Sequence, residues 1–354
     1  MNSYERVKNC FAFKETDRPP VWDWIRNDAV IKHFYGHHLT IKNGRKACFE
    51  TYRQVLDATK QEMKFPQVEG EFFDEDGRRH KQDRWTSWLD ITDKEQFTQR
   101  VLIEGIKRKI KSLPIWDAKA EKDLSDLIED YYQKQKEANG VVIFPCIPMK
   151  REFAGHVGLT EAYEYTGGID SFSYLLYDKP VLIGDFLSAL YQRTLNWIKH
   201  LPDNFHPLAV FVAEDIAFKT GLLFSPNFLR EHLFPYLKKI VDAYHRREIK
   251  VLFHSDGNCW EVMDELVDCG IDGFNPIEVS AGMSVEKLRK RYPNLVLCGG
   301  IDASELMVHG TPKEVFETTK KTIQAAPKGY LVGGSCEIHN AIKLENYLAM
   351  LKAI

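Results

Sequence analysis

The sequence predicts an α/β chain folded as a (β/α)8 TIM-type barrel with an N-terminal insertion or cap. Three observations lead there. From residue 141 onward, apolar runs at 141–145, 208–213, 251–253, 273–277, 295–297 and 330–332 alternate with helical segments, as in a parallel sheet with helices outside it. With the apolar stretch at 21–25, these runs approach the strand count of a closed barrel. The competing open, doubly wound sheet lacks its phosphate loop, since Gly299-Gly300 and Gly333-Gly334 follow late strands without GxGxxG spacing.

The elements follow in order. Residues 4–14 form an amphipathic helix that Thr16-Asp-Arg-Pro-Pro20 ends, and Trp22, Asp23 and Trp24 close the short strand after it. Residues 45–58 have a helical pattern. Phe72-Phe-Asp-Glu-Asp-Gly-Arg78 reads as a β-hairpin because Asp76-Gly77 is a two-residue turn signal, and residues 82–89 complete it. Residues 91–138 are charged and helical, broken at Leu113-Pro114. In the second half, Ser225-Pro226 starts a helix predicted to run through 228–245, Met283-Ser284 starts one stopped by Pro293, and Thr311-Pro312 starts another with Glu314 in its first turn. The whole chain, 1–354, is expected to be one barrel domain, with cap elements at about 40–138.

Composition excludes several classes. A hydrophobic content of 44% and a charged content of 28% describe a globular protein, and a net charge of −3 gives no electrostatic case for nucleic acid or an anionic membrane. The first residues lack the apolar core of a signal peptide and no run is long enough to span a membrane. Seven widely spaced cysteines argue against a disulfide framework, so a reduced cytoplasmic setting is expected.

In a barrel, chemistry gathers at the C-terminal ends of the strands. Those positions hold Glu214-Asp215, His254-Ser-Asp256, Glu278, Cys298 and Cys336-Glu337. Lys250-Val-Leu-Phe-His-Ser-Asp-Gly-Asn258 is the clearest of them, a buried strand ending abruptly in a histidine and a carboxylate. His, Cys and carboxylate side chains from separate strands suit a catalytic zinc site, which keeps an open position. The alternative for Asp256 and Glu278 is that each caps its own following helix. Cys298, inside Leu-Val-Leu-Cys-Gly-Gly, reads as a small buried residue, whereas Cys336 after Gly333-Gly-Ser335 reads as exposed to a pocket.

Arg18-Pro-Pro-Val-Trp22, Leu175-Leu-Tyr-Asp-Lys-Pro180 and the run from Val212 to Ile354 resemble the uroporphyrinogen decarboxylase superfamily. Ala213-Glu-Asp-Ile, Phe253-His-Ser-Asp-Gly-Asn258, Gly300-Ile-Asp302 and Gly310-Thr-Pro-Lys-Glu-Val315 carry that resemblance most closely. It implies a (β/α)8 barrel. The superfamily holds both tetrapyrrole decarboxylases and zinc methyltransferases. The decarboxylases' arginine-rich signature is replaced here by Asp23-Trp-Ile-Arg-Asn-Asp28, whose carboxylates repel a polycarboxylate substrate. Their second signature is absent where this chain reads Pro145-Cys-Ile-Pro-Met-Lys150. Gly334-Ser-Cys-Glu-Ile338 followed by Leu344-Glu-Asn346 resembles instead the methylcobalamin:coenzyme M methyltransferases, in which a Cys binds zinc with an earlier His-x-Cys pair.

That resemblance implies His254 and Cys336 as zinc ligands, with Asp256 standing where the pair's Cys belongs. Cobalamin-independent methionine synthases add a Glu ligand at the spacing that separates Asp256 from Glu278, so the implied ligand set is His254, Glu278 and Cys336. Asp256 is then a further ligand or a group orienting His254. Replacing thiolate by carboxylate makes zinc a stronger Lewis acid toward oxygen. The implied reaction moves a methyl group from an O-methylated substrate, an aryl methyl ether, to the Co(I) of a corrinoid protein. Trp22 and Trp24 are expected to line the substrate pocket and Trp85 and Trp88 to pack. Glu214 and His339 are candidates for substrate contact or proton delivery, with capping as the alternative for both. The competing functions are tetrapyrrole decarboxylation, methylcobalamin-to-thiol transfer, and a non-catalytic corrinoid- or tetrapyrrole-binding module.

Overall fold

Five parallel strands form the central ladder, in the order Tyr330–Gly334, Val296–Ile301, Gly273–Asn275, Lys250–His254 and Ala209–Ala213. The computed structural model describes residues 1–74, 76–92, 94–147 and 156–354. Two further parallel strands, Ala58–Lys60 and Val142–Phe144, pair with each other. Single parallel bridges link these pieces: Val21 to Val332, Trp22 to Ala58, and Cys146 to Phe211. The architecture is therefore α/β with a parallel sheet whose regular ladder stops at five strands.

Side-chain alternation sorts the strands into two apolar layers. Val142, Phe144 and Cys146, Ala209, Phe211 and Ala213, Leu252, Val296, Cys298 and Leu331 join Trp22 in an inner cluster. The opposite parity, including Ile143, Val210, Val212, Val251, Phe253, Phe274 and Leu297, packs outward with the helices. The inner layer is aromatic at its centre, where Trp22 stacks on Phe144 at 5.3 Å and on Phe211 at 5.9 Å. Register fixes what stands at the strand ends: Ala213 pairs with His254, and His254 with Asn275.

The helices start where the sequence signals place them. Ser284 accepts a hydrogen bond from Lys287 N at the start of Val285–Arg291, and Thr311 with Glu314 forms a complete capping box for Pro312–Ala325. The single helix predicted after Ser225-Pro226 is two, Pro226–His232 and Phe234–His245. Pro235 is the reason: it supplies no amide hydrogen and its ring crowds the preceding turn, so the chain restarts there. The hairpin at Asp76-Gly77 is present as Gly70–Phe73 against Arg79–Gln82, extended by a third antiparallel strand, Ser87–Leu89. Glu75 in that hairpin, and Pro148 to Lys150 of the segment compared with the decarboxylases, lie outside the described residues. Trp85 is buried and donates to Asp28 Oδ1 at 3.0 Å, while Trp88, expected to pack, is exposed. No helix among the described residues is long and apolar enough to cross a membrane.

Candidate metal centre

His254 is the last residue of the Lys250–His254 strand and has inner parity, so its ring turns into the space above the aromatic layer. The imidazole lies 5.0 Å from the Phe211 ring. Its Nδ1 is 2.8 Å from Asn275 Oδ1, on the neighbouring strand. Its Nε2 faces two carboxylates, 3.7 Å from Asp215 Oδ1 and 3.9 Å from Asp256 Oδ1. Both distances are too long for a hydrogen bond.

Asp215 and Asp256 occupy equivalent places. Each lies two residues beyond a paired position, Ala213 and His254, so both carboxylates return to the inner side. The Asp256 amide donates to Asp215 Oδ1 at 3.1 Å. One ligand atom each from Asp215, His254 and Asp256 lies within 4.8 Å of the others.

The three donors fit a cation. The Oδ1 atom of Asp256 is buried without a hydrogen-bond partner, which is costly unless something positive satisfies it. The separations from Nε2 slightly exceed the roughly 3.4 Å ligand-to-ligand edge implied by tetrahedral zinc with bonds of about 2.0–2.1 Å. Electrostatics separates the two acids. Burial and the neighbouring Asp215 and Glu278 charges push the Asp256 carboxyl above its usual range against the pull of His254. Asp215 is held well below that range, because the hydrogen bond and charge of His156, helped by His254, outweigh burial. His156 lies between two acids, Nε2 3.5 Å from Asp215 and Nδ1 3.4 Å from Glu164, and they raise its pKa well above the ordinary value despite burial.

The remaining pocket lining includes Trp22, Trp24, Lys60, Phe211, Asn275, Cys336 and Glu337. The Lys60 ammonium sits 3.4 Å from the centre of the Trp24 ring and is paired with Glu62 at 2.9 Å. Arg26 covers the same indole at 4.2 Å and is ion-paired with Glu337. Cys336 is exposed while the other six cysteines are buried. Desolvation of its sulfur, then the Asp256 and Glu278 carboxylates, push its thiol up to about 12.

The structure thus brings His254, Asp256, Cys336, Trp22 and Trp24 to one pocket. Glu278 stands beside them, its oxygens accepting from the Gly257 amide at 2.7 Å and the Ser280 hydroxyl at 3.1 Å. Glu214 is elsewhere. It has outer parity, is fully buried, and accepts from the amides of Leu159 at 2.9 Å and Thr160 at 2.8 Å and from the Tyr191 hydroxyl at 3.2 Å. Burial pushes its carboxyl up to about 7 against those hydrogen bonds and the charge of His156. His339 is not among the pocket-lining residues; it pairs with Arg26 in a short parallel ladder, and its Nδ1 accepts from the Ala341 amide. His156, Lys60 and Asn275 are the residues that the sequence does not single out, and Asp215 is placed at a strand end there without being assigned as a ligand. For Asp215 a signal exists, since Ala213-Glu-Asp repeats the spacing of His254-Ser-Asp.

A family model described as uroporphyrinogen decarboxylase (URO-D) matches residues 165–354, just over half of the chain. The chain belongs to the uroporphyrinogen decarboxylase family. Within it, the chain is similar to the methylcobamide:CoM methyltransferase MtbA of Methanosarcina acetivorans, with 27% identity over 101 residues, covering 28% of this chain and 29% of that protein. The MtbA of Methanosarcina mazei is 27% identical over 106 residues, 29% of this chain and 30% of its own length. These matches span less than a third of the curated relatives' length. A solved methyltransferase from Methanosarcina mazei superposes with a TM-score of 0.63 at 14% identity, covering 100% of this chain and 98% of that one, which shows a shared fold.

Proposed function

We propose that this protein is a metal-dependent methyltransferase that passes a methyl group from an O-methylated substrate, of the aryl methyl ether class, to the Co(I) of a corrinoid protein. The observation that carries the reading is the convergence of Asp215, His254 and Asp256 around an unsatisfied buried carboxylate oxygen. The local likeness to methylcobamide:CoM methyltransferases supports chemistry at a methyl–cobalt bond. The ring of parallel pairings, with its inner and outer layers, supports a (β/α)8 barrel forming one domain. Ala58–Lys60 is one of its strands, so a cap is confined to residues between that strand and Val142–Phe144 rather than to about 40–138 as a whole.

His254, Asp215 and Asp256 would hold a Zn2+ ion, and Cys336 is the thiol in the same pocket that could join them. Glu278, whose carboxylate accepts from the Gly257 amide, keeps further lone pairs and would be able to join them while holding that turn. The bound cation supplies Lewis acidity toward the ether oxygen. In the transfer the methyl carbon–oxygen bond breaks, the carbon–cobalt bond forms at the expense of the Co(I) electron pair, and the released oxygen takes a proton. Trp22, Trp24 and Phe211 supply apolar edges of the pocket in which the substrate's ring would lie. Lys60 and Arg26 lie over Trp24, each paired with an acid, Glu62 and Glu337.

The test is metal analysis of the purified protein, followed by incubation with Co(I) corrinoid protein and methoxyarenes. Methyl–cobalt absorbance that requires both the donor and zinc supports the reading. A second reading, transfer from methylcobamide to a thiol, draws on the curated relatives' names and on Cys336 in the pocket. Methyl-thioether formation from methylcobalamin without ether cleavage would select it. Decarboxylation of uroporphyrinogen would overturn both.

A further inference from the structure

We propose that Asn275, anchored by the thiol of Cys298, is a positioning residue that fixes the His254 tautomer, keeping the ring proton on Nδ1 and the Nε2 lone pair directed at the carboxylate pair. The inference rests on the metal-binding reading for its purpose, but its geometry stands by itself. Three successive ladder strands contribute one residue each. Asn275 Oδ1 is 2.8 Å from His254 Nδ1, and Asn275 Nδ2 donates to Cys298 Sγ at 3.2 Å. Cys298 is fully buried in the inner apolar cluster and Asn275 is 4% exposed.

The chain of donors has one consistent direction. The Cys298 thiol is neutral, since burial drives its pKa far above the ordinary value, and its sulfur accepts from the amide. Spending the Asn275 NH2 on that sulfur leaves the amide carbonyl for the imidazole, and a carbonyl oxygen only accepts. His254 must therefore donate from Nδ1. Turning the amide over would set its NH2 against an unprotonated Nδ1 and its carbonyl against the weak S–H donor, moving the ring proton to Nε2 and removing the lone pair from the side that faces the two carboxylates.

The backbone holds the arrangement. Asn275 is the register partner of His254, its carbonyl accepts from the Ser255 amide at 3.0 Å, and the Ile277 amide donates to the Cys298 carbonyl at 3.1 Å. On the other side of the ring, Nε2 lies at 3.7 and 3.9 Å from the two carboxylates and has no hydrogen-bonding commitment to either. Metal-binding histidines donate through their second nitrogen to a fixed acceptor, which sets ring orientation and raises ligand basicity. Here a neutral side-chain amide performs that task without adding a third negative charge beside Asp215 and Asp256.

The experiment is long-range proton–nitrogen correlation NMR on the full-length, metal-free protein, with the His254 ring assigned by its absence in H254Q. The expected result is the Nδ1–H tautomer in the unsubstituted protein. In N275L that tautomer is lost or mixed, and zinc affinity measured by chelator competition falls about 10- to 100-fold. N275D, which keeps an accepting oxygen toward Nδ1, retains the tautomer, a rescue that a merely space-filling role does not produce. C298V, which removes the anchor but keeps the volume, gives mixed tautomers even where N275L fails to fold. An Nε2–H tautomer in the unsubstituted protein, or an unchanged tautomer in both N275L and C298V, overturns the proposal. Absence of zinc binding by the unsubstituted protein with the Nδ1–H tautomer present overturns the metal reading and leaves the tautomer assignment standing.

Discussion

At the scale of single residues, strand parity decides which acid meets the histidine. Glu214 and Asp215 are adjacent, yet side chains of successive strand residues leave on opposite faces. Register places Asp215 beside His254, while Glu214 turns outward to accept from Leu159, Thr160 and Tyr191. Their substitutions therefore separate. D215A and D256A are expected to weaken zinc binding at least tenfold while leaving the fold close to unchanged. E214A is expected to keep zinc affinity within about twofold and to lower unfolding free energy by about 1–3 kcal/mol, because it strands buried donors. Chelator competition and urea unfolding on the three variants check both halves. Equal metal affinities across all three would remove the assignment of Asp215 and Asp256 as ligands.

At the scale of elements, tight backbone approaches join the first segment to the last ladder strand. Val21 bridges Val332, and the Trp22 amide donates to the Val332 carbonyl at 2.8 Å. A Cβ added at Gly333 would lie 1.7 Å from the Trp22 carbonyl oxygen, so no side chain fits without parting the two segments. G333A is accordingly expected to cost more than about 3 kcal/mol, the range of a severe core overpacking, read as a shifted urea midpoint. An unperturbed midpoint would mean that this seam is not a closed contact in solution.

The same scale shows what was legible in the sequence. The alternation of apolar runs and capped helices exposed the parallel sheet, and the strand-end position exposed His254 and Cys336. The split at Pro235 was visible as a residue but hidden by the apolar periodicity running through it. Asp215, Asn275 and Lys60 depend on register between strands far apart in the chain, and composition and spacing within one run do not report register.

For the whole molecule, a single buried acid ties closure to pH. Asp23 is 1% exposed, accepts from the Gly334 amide at 2.7 Å, and its backbone carbonyl accepts from the Thr59 hydroxyl at 2.9 Å. It thus links the first segment to the strands on either side of it. Its other carboxyl oxygen has no hydrogen-bond partner, and burial pushes its pKa up to about 8 despite the Gly334 amide and the Tyr347 hydroxyl. A free aspartate titrates near 3.9, so between roughly pH 4 and 8 the folded protein holds a proton that the unfolded chain has released. Folding then takes up a proton, and stability falls as pH rises through that window, by up to about 1.4 kcal/mol per pH unit. Below the window both states are protonated and the contribution is intact; above it the loss is complete and the slope ends. D23N keeps an accepting oxygen for Gly334 and removes the titration. Its urea-derived stability is expected to decline less steeply than that of the unsubstituted protein from pH 5 to 8, with the two curves diverging as pH rises. Comparing the two proteins cancels groups that titrate alike in both, Glu214 among them. Parallel curves would show that Asp23 is ionised in the folded state and that something positive reaches the seam beside Gly334.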